Sequence, residues 1–154
     1  MLGYQKILCA LDFDEHATST LRVAGALAKE SDASLDILHI ARIPARDMDV
    51  PLPFDADPIW EKEAREGIEK LIQRSSIGDL KYDVRIVSGL PALDIVRAAA
   101  ELAVDLIVMA THGRSGFAHL ILGSVAEHVI REAACPVLVL RPPKQAARTT
   151  NPAN

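Results

Sequence analysis

Apolar and polar positions change their period regularly along the chain. Lys6-Ile-Leu-Cys-Ala-Leu11 is a short, continuous apolar run, too short for a helix and typical of a strand covered on both faces. It ends at Asp12, and Asp14 can cap a helix in which Ala17, Leu21, Ala24 and Ala28, joined by Leu27, recur at helical spacing. Ser31 to Ala33 breaks that pattern, and Leu35 to Ile40 reads as a second strand. Arg42 to Pro58 carries Pro44, Pro51, Pro53 and Pro58 among scattered acids, which predicts a long surface loop. Beyond it, Trp60, Ala64, Ile68, Leu71 and Ile72 form one stripe of a helix that Ser75 to Asp79 closes.

Tyr82 to Val87 alternates, with Val84 and Ile86 set against Asp83 and Arg85, as expected of a strand near a sheet edge. Ser88-Gly89-Leu90-Pro91 starts a third helix, with proline where a missing N–H costs nothing, and Ile95, Ala98, Ala99 and Leu102 give its buried face. Asp105 leads into Leu106 to Ala110, the strongest buried-strand signal in the chain. A glycine-bearing loop over 111–123 follows, then a helix from Ser124 to about Ala134 with Ala126, Val129, Ile130 and Ala133 facing inward, and a fifth strand at Val137 to Leu140. Residues 142–154 hold three prolines and almost no apolar bulk, which predicts a disordered tail.

Five strands alternating with four helices imply an α/β protein with right-handed crossovers, hence a parallel sheet. The fully apolar runs mark strands one and four as central and strand three as peripheral, which fits the doubly wound order 3-2-1-4-5. In that order the chain reverses direction between strands one and four, and the loops leaving them splay apart. The expected ligand crevice is therefore Leu11 to Asp14 together with Ala110 to Ser124.

Composition narrows the class. A chain of 154 residues hides roughly 70% of its unfolded surface on folding, enough for one domain with a proper core. The two cysteines, Cys9 and Cys135, have no CxxC partner and read as small reduced core residues of a cytoplasmic protein. No apolar run approaches the roughly 20 residues of a membrane span, so no membrane association is expected. The net charge is −4, but Arg141, Lys144 and Arg148 lie beyond the last acid, Glu132; residues 1–140 hold 14 basic against 21 acidic groups, a charge of −7. A body this acidic is a poor partner for nucleic acid, and an anionic ligand must be held locally.

The glycine loop offers such a hold. Gly113, Gly116 and Gly123 fall between Thr111 and Ser124, where the fold places the crevice. Glycines let backbone N–H groups approach an anion, and a helix starting at Ser124 adds free donors and the positive end of its dipole. His112 and Arg114 stand at the mouth of this phosphate cradle. The same stretch also reads as a plain connection, with Ser124-x-x-Glu127 as a capping box. Neither GxGxxG nor GxxxxGK[ST] occurs, which disfavours dinucleotide oxidoreductases and P-loop NTPases. Asp12 suits ribose hydroxyls or Mg²⁺, and equally a helix start; Ile40 suits an adenine ring, and equally plain core. His16, His39, His112, His119 and His128 lack metal-ligand spacing and read as surface or rim residues, and no serine stands in GxSxG, so no catalytic constellation emerges.

From Lys6 to Arg141 the sequence resembles the universal stress protein family. The segments that carry the resemblance are Lys6 to Ala17, Gly89-Leu-Pro-Ala92, Met109-Ala-Thr-His-Gly-Arg-Ser-Gly116, Leu122-Gly-Ser-Val125 and Cys135 to Arg141. The nucleotide-binding branch of that family carries glycine, two residues, glycine, nine residues, then glycine and Ser or Thr. Gly113, Gly123 and Ser124 fit, whereas Ala110 replaces the first glycine and Asp14 stands where members often have serine.

The resemblance implies one domain over 1–141, a flavodoxin-like or Rossmann-like three-layer sandwich, and a homodimer paired through Val137 to Leu140. It further implies ATP or another adenine nucleotide, with or without Mg²⁺, and a regulatory or interaction role in stress response with a protein partner as yet unknown. Ala10, Leu11 and Asp12 would line the adenosine, Ile40 would meet adenine through its backbone, Met109 and Ala110 would floor the pocket, and Gly113, Gly123, Ser124 and Val125 would hold the phosphates. The dimer also makes sense by itself, because an open apolar edge strand invites aggregation. Two alternatives are a non-nucleotide interaction protein of the same fold and a slow Mg-dependent ATPase using Asp12.

Overall fold

The computed structural model describes residues 3–42, 57–111 and 122–141. The elements run β1 (Lys6–Leu11), α1 (Ala17–Ser31), β2 (Ser34–Arg42), α2 (Asp57–Ser75), β3 (Tyr82–Gly89), α3 (Pro91–Glu101), β4 (Leu106–Ala110), α4 (Ser124–Glu132) and β5 (Val137–Leu140). All four strand pairings are parallel, and the sheet order is β3-β2-β1-β4-β5. This is the expected doubly wound topology.

Successive strand residues point to opposite faces, so a central strand supplies two cores at once. Ile7, Cys9 and Leu11 of β1 join Leu21 and Ala24 of α1 and Ile68 of α2 on one face. Leu8 and Ala10 join Ile95 and Ala99 of α3 and Ala126 and Val129 of α4 on the other. Burial on both faces favours apolar residues, and β1 beyond Lys6 and all of β4 are unbroken apolar runs. The edge strand β3 is mostly exposed, as its alternation predicts.

Several local expectations need correction. Helix α2 begins at Asp57, so Pro58 is not loop but lies in the first turn of a helix, where proline is tolerated. Residues 43–56 of the expected loop and the expected tail at 142–154 lie outside the described residues. Asp14 does not cap α1: His16 occupies that position, and Asp14 acts two residues earlier, its Oδ1 accepting the His16 N–H at 2.9 Å. Ser124 is the first helical residue of α4, with Gly123 as its N-cap, so the capping box is not formed; Glu127 instead pairs with Arg131 at 3.3 Å. Helix α4 stops at Glu132, and Ile130 is 47% exposed rather than inward, because Ala126 and Val129 already define the buried face.

Carboxylates, two of them buried, fix the strands and turns. Asp36 of β2 is 2% exposed; its Oδ1 accepts from Arg85 Nε of β3 at 2.9 Å, and Lys6 Nζ of β1 stands 4.0 Å from Oδ2. One carboxylate thus ties three neighbouring strands at their amino-terminal halves. Asp105 accepts the amides of Gln5 and Lys6, at 2.8 and 3.2 Å, and anchors the entry of β1 beside β4. Asp94 accepts the Leu90 amide at 2.7 Å and pairs with Arg97; a Cβ at Gly89 would run into its carboxylate.

Replacing Asp36 by alanine leaves the Arg85 guanidinium without its charge-assisted bond, a loss of about 2 kcal/mol. Urea unfolding is expected to show that loss for Asp36→Ala and a much smaller one for Lys6→Met, since Lys6 is farther away and partly solvated.

Candidate functional site

A cavity of about 250 Å³ opens at the carboxyl ends of β1 and β4. Its position follows from topology. Helix α1, which follows β1, packs on one face of the sheet and α4, which follows β4, packs on the other, so the winding reverses between these two neighbouring strands.

Ala10, Leu11 and Asp12 from β1, Ile40 from β2, Met109 and Ala110 from β4, and Gly123, Ser124 and Val125 from the start of α4 all line this cavity. His112, Gly113 and Arg114 lie outside the described residues. Asp14, in the expected crevice segment, lines the cavity too, whereas the sequence did not point to Ala17, Thr20, Leu38, Pro91, Ile95 or Ala126. Leu38 was available to it, because a residue two positions before Ile40 shares its face of the strand. Pro91 and Ile95 likewise share one face of α3 at a spacing of four.

The apolar part of the lining, Leu38, Ile40, Ile95 and Met109, suits a flat ring; the polar part lies at α4. The first helical bond there runs from the Glu127 amide to the Gly123 carbonyl at 2.9 Å. The amides of Ser124, Val125 and Ala126 therefore have no acceptor within the helix, and all three residues line the cavity. Three such donors at the positive end of a helix dipole are chemically able to receive an anion.

Gly123 is not one of those donors. Its N–H is already given to the Thr111 carbonyl at 3.1 Å, and the Thr111 amide in turn bonds Leu140 of β5 at 2.9 Å. A Cβ at position 123 would run into the Thr111 carbonyl oxygen. With φ at −72°, the position needs glycine for space and not for a left-handed turn. The glycine sets how closely the helix start approaches β4, and thereby where the three amides point.

Across the cavity stand two carboxylates. Asp12 accepts the Phe13 amide at 3.1 Å. Burial pushes the Asp14 carboxyl above its ordinary value; the His16 N–H opposes that rise and the charge of Asp12 adds to it. Among the described residues no group of three His, Cys, Asp or Glu side chains could hold a metal. Cys9 is wholly buried and its thiol is pushed far up by burial, as befits a core residue; Cys135 is only partly buried. His39, expected at the surface or rim, is 7% exposed, with Nδ1 2.9 Å from the Leu11 carbonyl.

An open parallel sheet of this order with its cavity at the β1/β4 switch point defines a flavodoxin-like α/β protein. The chain belongs to the universal stress protein family, whose sequence pattern matches residues 3–141. Universal stress protein MJ0531 of Methanocaldococcus jannaschii is 32% identical over 149 residues, covering 92% of this chain and 85% of the relative. The solved structure of hypothetical protein MJ0577 superposes with a TM-score of 0.77 at 28% identity, covering 93% of this chain and 99% of that one. A crystal structure of a universal stress protein in complex with cAMP shares the fold, with a TM-score of 0.69 at 24% identity over 90% of this chain and 98% of that one. No helix among the described residues is long and apolar enough to cross a membrane.

The raised Asp14 value carries a sign. A carboxyl that holds its proton more tightly folded than unfolded destabilises the fold once it is ionised, and that cost disappears as pH falls below the unfolded value of 3.8. Asp14→Asn keeps an oxygen for the His16 amide and removes the charge. It is expected to raise the thermal midpoint slightly at neutral pH, with the gain vanishing in acid, as scanning calorimetry across pH would record.

Proposed function

We propose that this protein binds an adenine nucleotide, ATP in the first instance, in the switch-point cavity and acts in stress response as a nucleotide-dependent regulatory or interaction protein of the cytoplasm. The observation that carries the reading is the pairing of an apolar slot with three helix amides at its edge that have no acceptor within the helix. The ring of the base would lie against Ile40, Leu38 and Met109, with backbone groups of Ile40 reading its edge. Asp12 would take the ribose hydroxyls, and Ser124, Val125 and Ala126 would seat phosphate. The related fold seen in complex with cAMP supports the class of ligand.

Charge decides how the phosphates are held. The body is acidic, and no basic side chain lines the cavity among the described residues, so helix amides do the work that lysines do elsewhere. Asp12 and Asp14 oppose a bare polyphosphate. Mg²⁺ commonly binds through one or two carboxylates plus substrate phosphates, and these two carboxylates fit that mode. Nothing in the described lining pairs a nucleophile with a base, so turnover would be slow at most.

Strand β5 would pair with a second copy. It is the sheet edge, and all four of its residues are partly exposed. The carbonyls of Pro136 and Leu140 face β4. The alternate residues Val137 and Val139 therefore direct their N–H and C=O groups outward. Sedimentation should give a dimer mass, and Val139→Pro, which removes an outward donor and spares the ladder to β4, a monomer; a wild-type monomer would refute the pairing.

Titrating ATP into nucleotide-free protein by calorimetry is expected to give saturable binding that Gly123→Val abolishes. Ala110→Gly, which restores the family glycine, should tighten binding several-fold, about 1 kcal/mol. The absence of heat at millimolar ATP, or an unchanged isotherm for folded Gly123→Val, would overturn the reading.

A further inference from the structure

The turn that carries Asp12 and Asp14 into the cavity is held from the opposite face of the sheet. Strand β1 stops at Leu11, whose register partner on β2 is His39. The His39 ring lies 93% buried behind that junction, with Nδ1 2.9 Å from the Leu11 carbonyl oxygen. A carbonyl can only accept, so Nδ1 must carry the proton. The next residue but one, Phe13, lays its ring against the imidazole, with centroids 4.3 Å apart and planes tilted by 42°. Phe13 is seated in turn against α2, where a Cβ at Gly67 would come within 2.9 Å of its Cε1.

The two contacts clamp the turn at successive points. His39 fixes the last carbonyl of β1, and the His39–Phe13–Gly67 stack fixes the middle of Asp12-Phe13-Asp14. Both flanking carboxylates line the cavity, whereas His39 and Phe13 do not; they border a separate groove with Trp60 and Ala64 on the α2 side. The carboxylates also close the turn on themselves, through Asp12 to the Phe13 amide and Asp14 to the His16 amide.

We propose that His39 is a positioning residue of the nucleotide site: its Nδ1–H bond to Leu11 and its stack on Phe13 hold the Asp12–Asp14 turn at the place where ribose and phosphate are met. His39 touches no ligand. The inference deepens the nucleotide reading, but the clamp itself is a property of the empty protein and can be tested without nucleotide.

Three variants separate the roles of the ring. Asparagine places an amide N–H near the Nδ1 position; leucine fills the space and donates nothing; glutamine carries its donor one carbon farther out. In nucleotide-free protein, hydrogen exchange at the Phe13 and His16 amides is expected to quicken about tenfold in His39→Leu and His39→Gln, the loss of one buried hydrogen bond, and by clearly less in His39→Asn, which keeps the donor and loses only the ring stack. Amides of α3 and β5 should not change in any variant. ATP affinity should fall by a similar factor in His39→Leu and His39→Gln and recover in part in His39→Asn.

Unchanged exchange at Phe13 and His16 in His39→Leu would overturn the proposal, as would equal damage by His39→Asn and His39→Leu. Exchange that quickens across the whole sheet would also overturn it, because His39 would then serve general stability. If wild type binds no ATP while the turn still loosens as described, the nucleotide reading fails and the clamp stands.

Discussion

Everything in this molecule that bears on function follows from one constraint on a parallel sheet. Each crossover must return over one face, and the two halves of the sheet are wound on opposite faces. At β1 and β4, the neighbours where winding reverses, the helices that follow pack on opposite faces and a crevice opens between the strand ends. The cavity is thus a consequence of strand order. The sequence at its rim had only to supply chemistry, and it supplies apolar strand residues on the floor, carboxylates on the β1 side and, on the α4 side, amides with no acceptor within the helix.

The place of those amides depends in turn on a contact of a few atoms. Gly123 packs without a side chain against the Thr111 carbonyl, and Thr111 is tied to Leu140 of β5. Helix α4 is nine residues long and buries only Ala126 and Val129, so its own packing is modest. The glycine contact is what sets its first turn against β4. The start of α4 and the edge strand proposed as a dimer surface are consequently joined through one residue, Thr111. Opposite them, the β1 turn is held by His39 and Phe13 from behind, so that rim is braced by residues outside the cavity lining.

Much of this was legible in the chain. Strands β1 and β4 could be read because burial on both faces favours continuous apolar runs, and those runs marked the central strands; the order itself was not readable from them and came from the doubly wound pattern that they fit. Where burial is partial, the pattern was ambiguous: in a helix as short as α4, Ile130 fits an inward stripe as well as Val129 does, and only packing shows it exposed. Pro58 looked like loop because proline clusters do, yet a first helical turn accepts it. Gly123 was found for its spacing, but its reason is close approach to a carbonyl 12 residues away, which no local pattern encodes. His39 and Asp36 were hidden for the same cause. A polar residue inside a strand reads as exposed unless its partner is known, and the partners, Leu11 and Arg85, lie 28 and 49 residues off.

The amides at the start of α4 that lack an acceptor within the helix are the proposed receptor of an anionic nucleotide. Backbone NMR during titration with ATP tests this residue by residue. The amide protons of Ser124, Val125 and Ala126 are expected to move downfield together as they gain a charged acceptor, while the Gly123 amide, already bonded to Thr111, moves least in that turn. Saturable binding with those three amides unmoved, or with its shifts confined to the α2 side of the sheet, would contradict it.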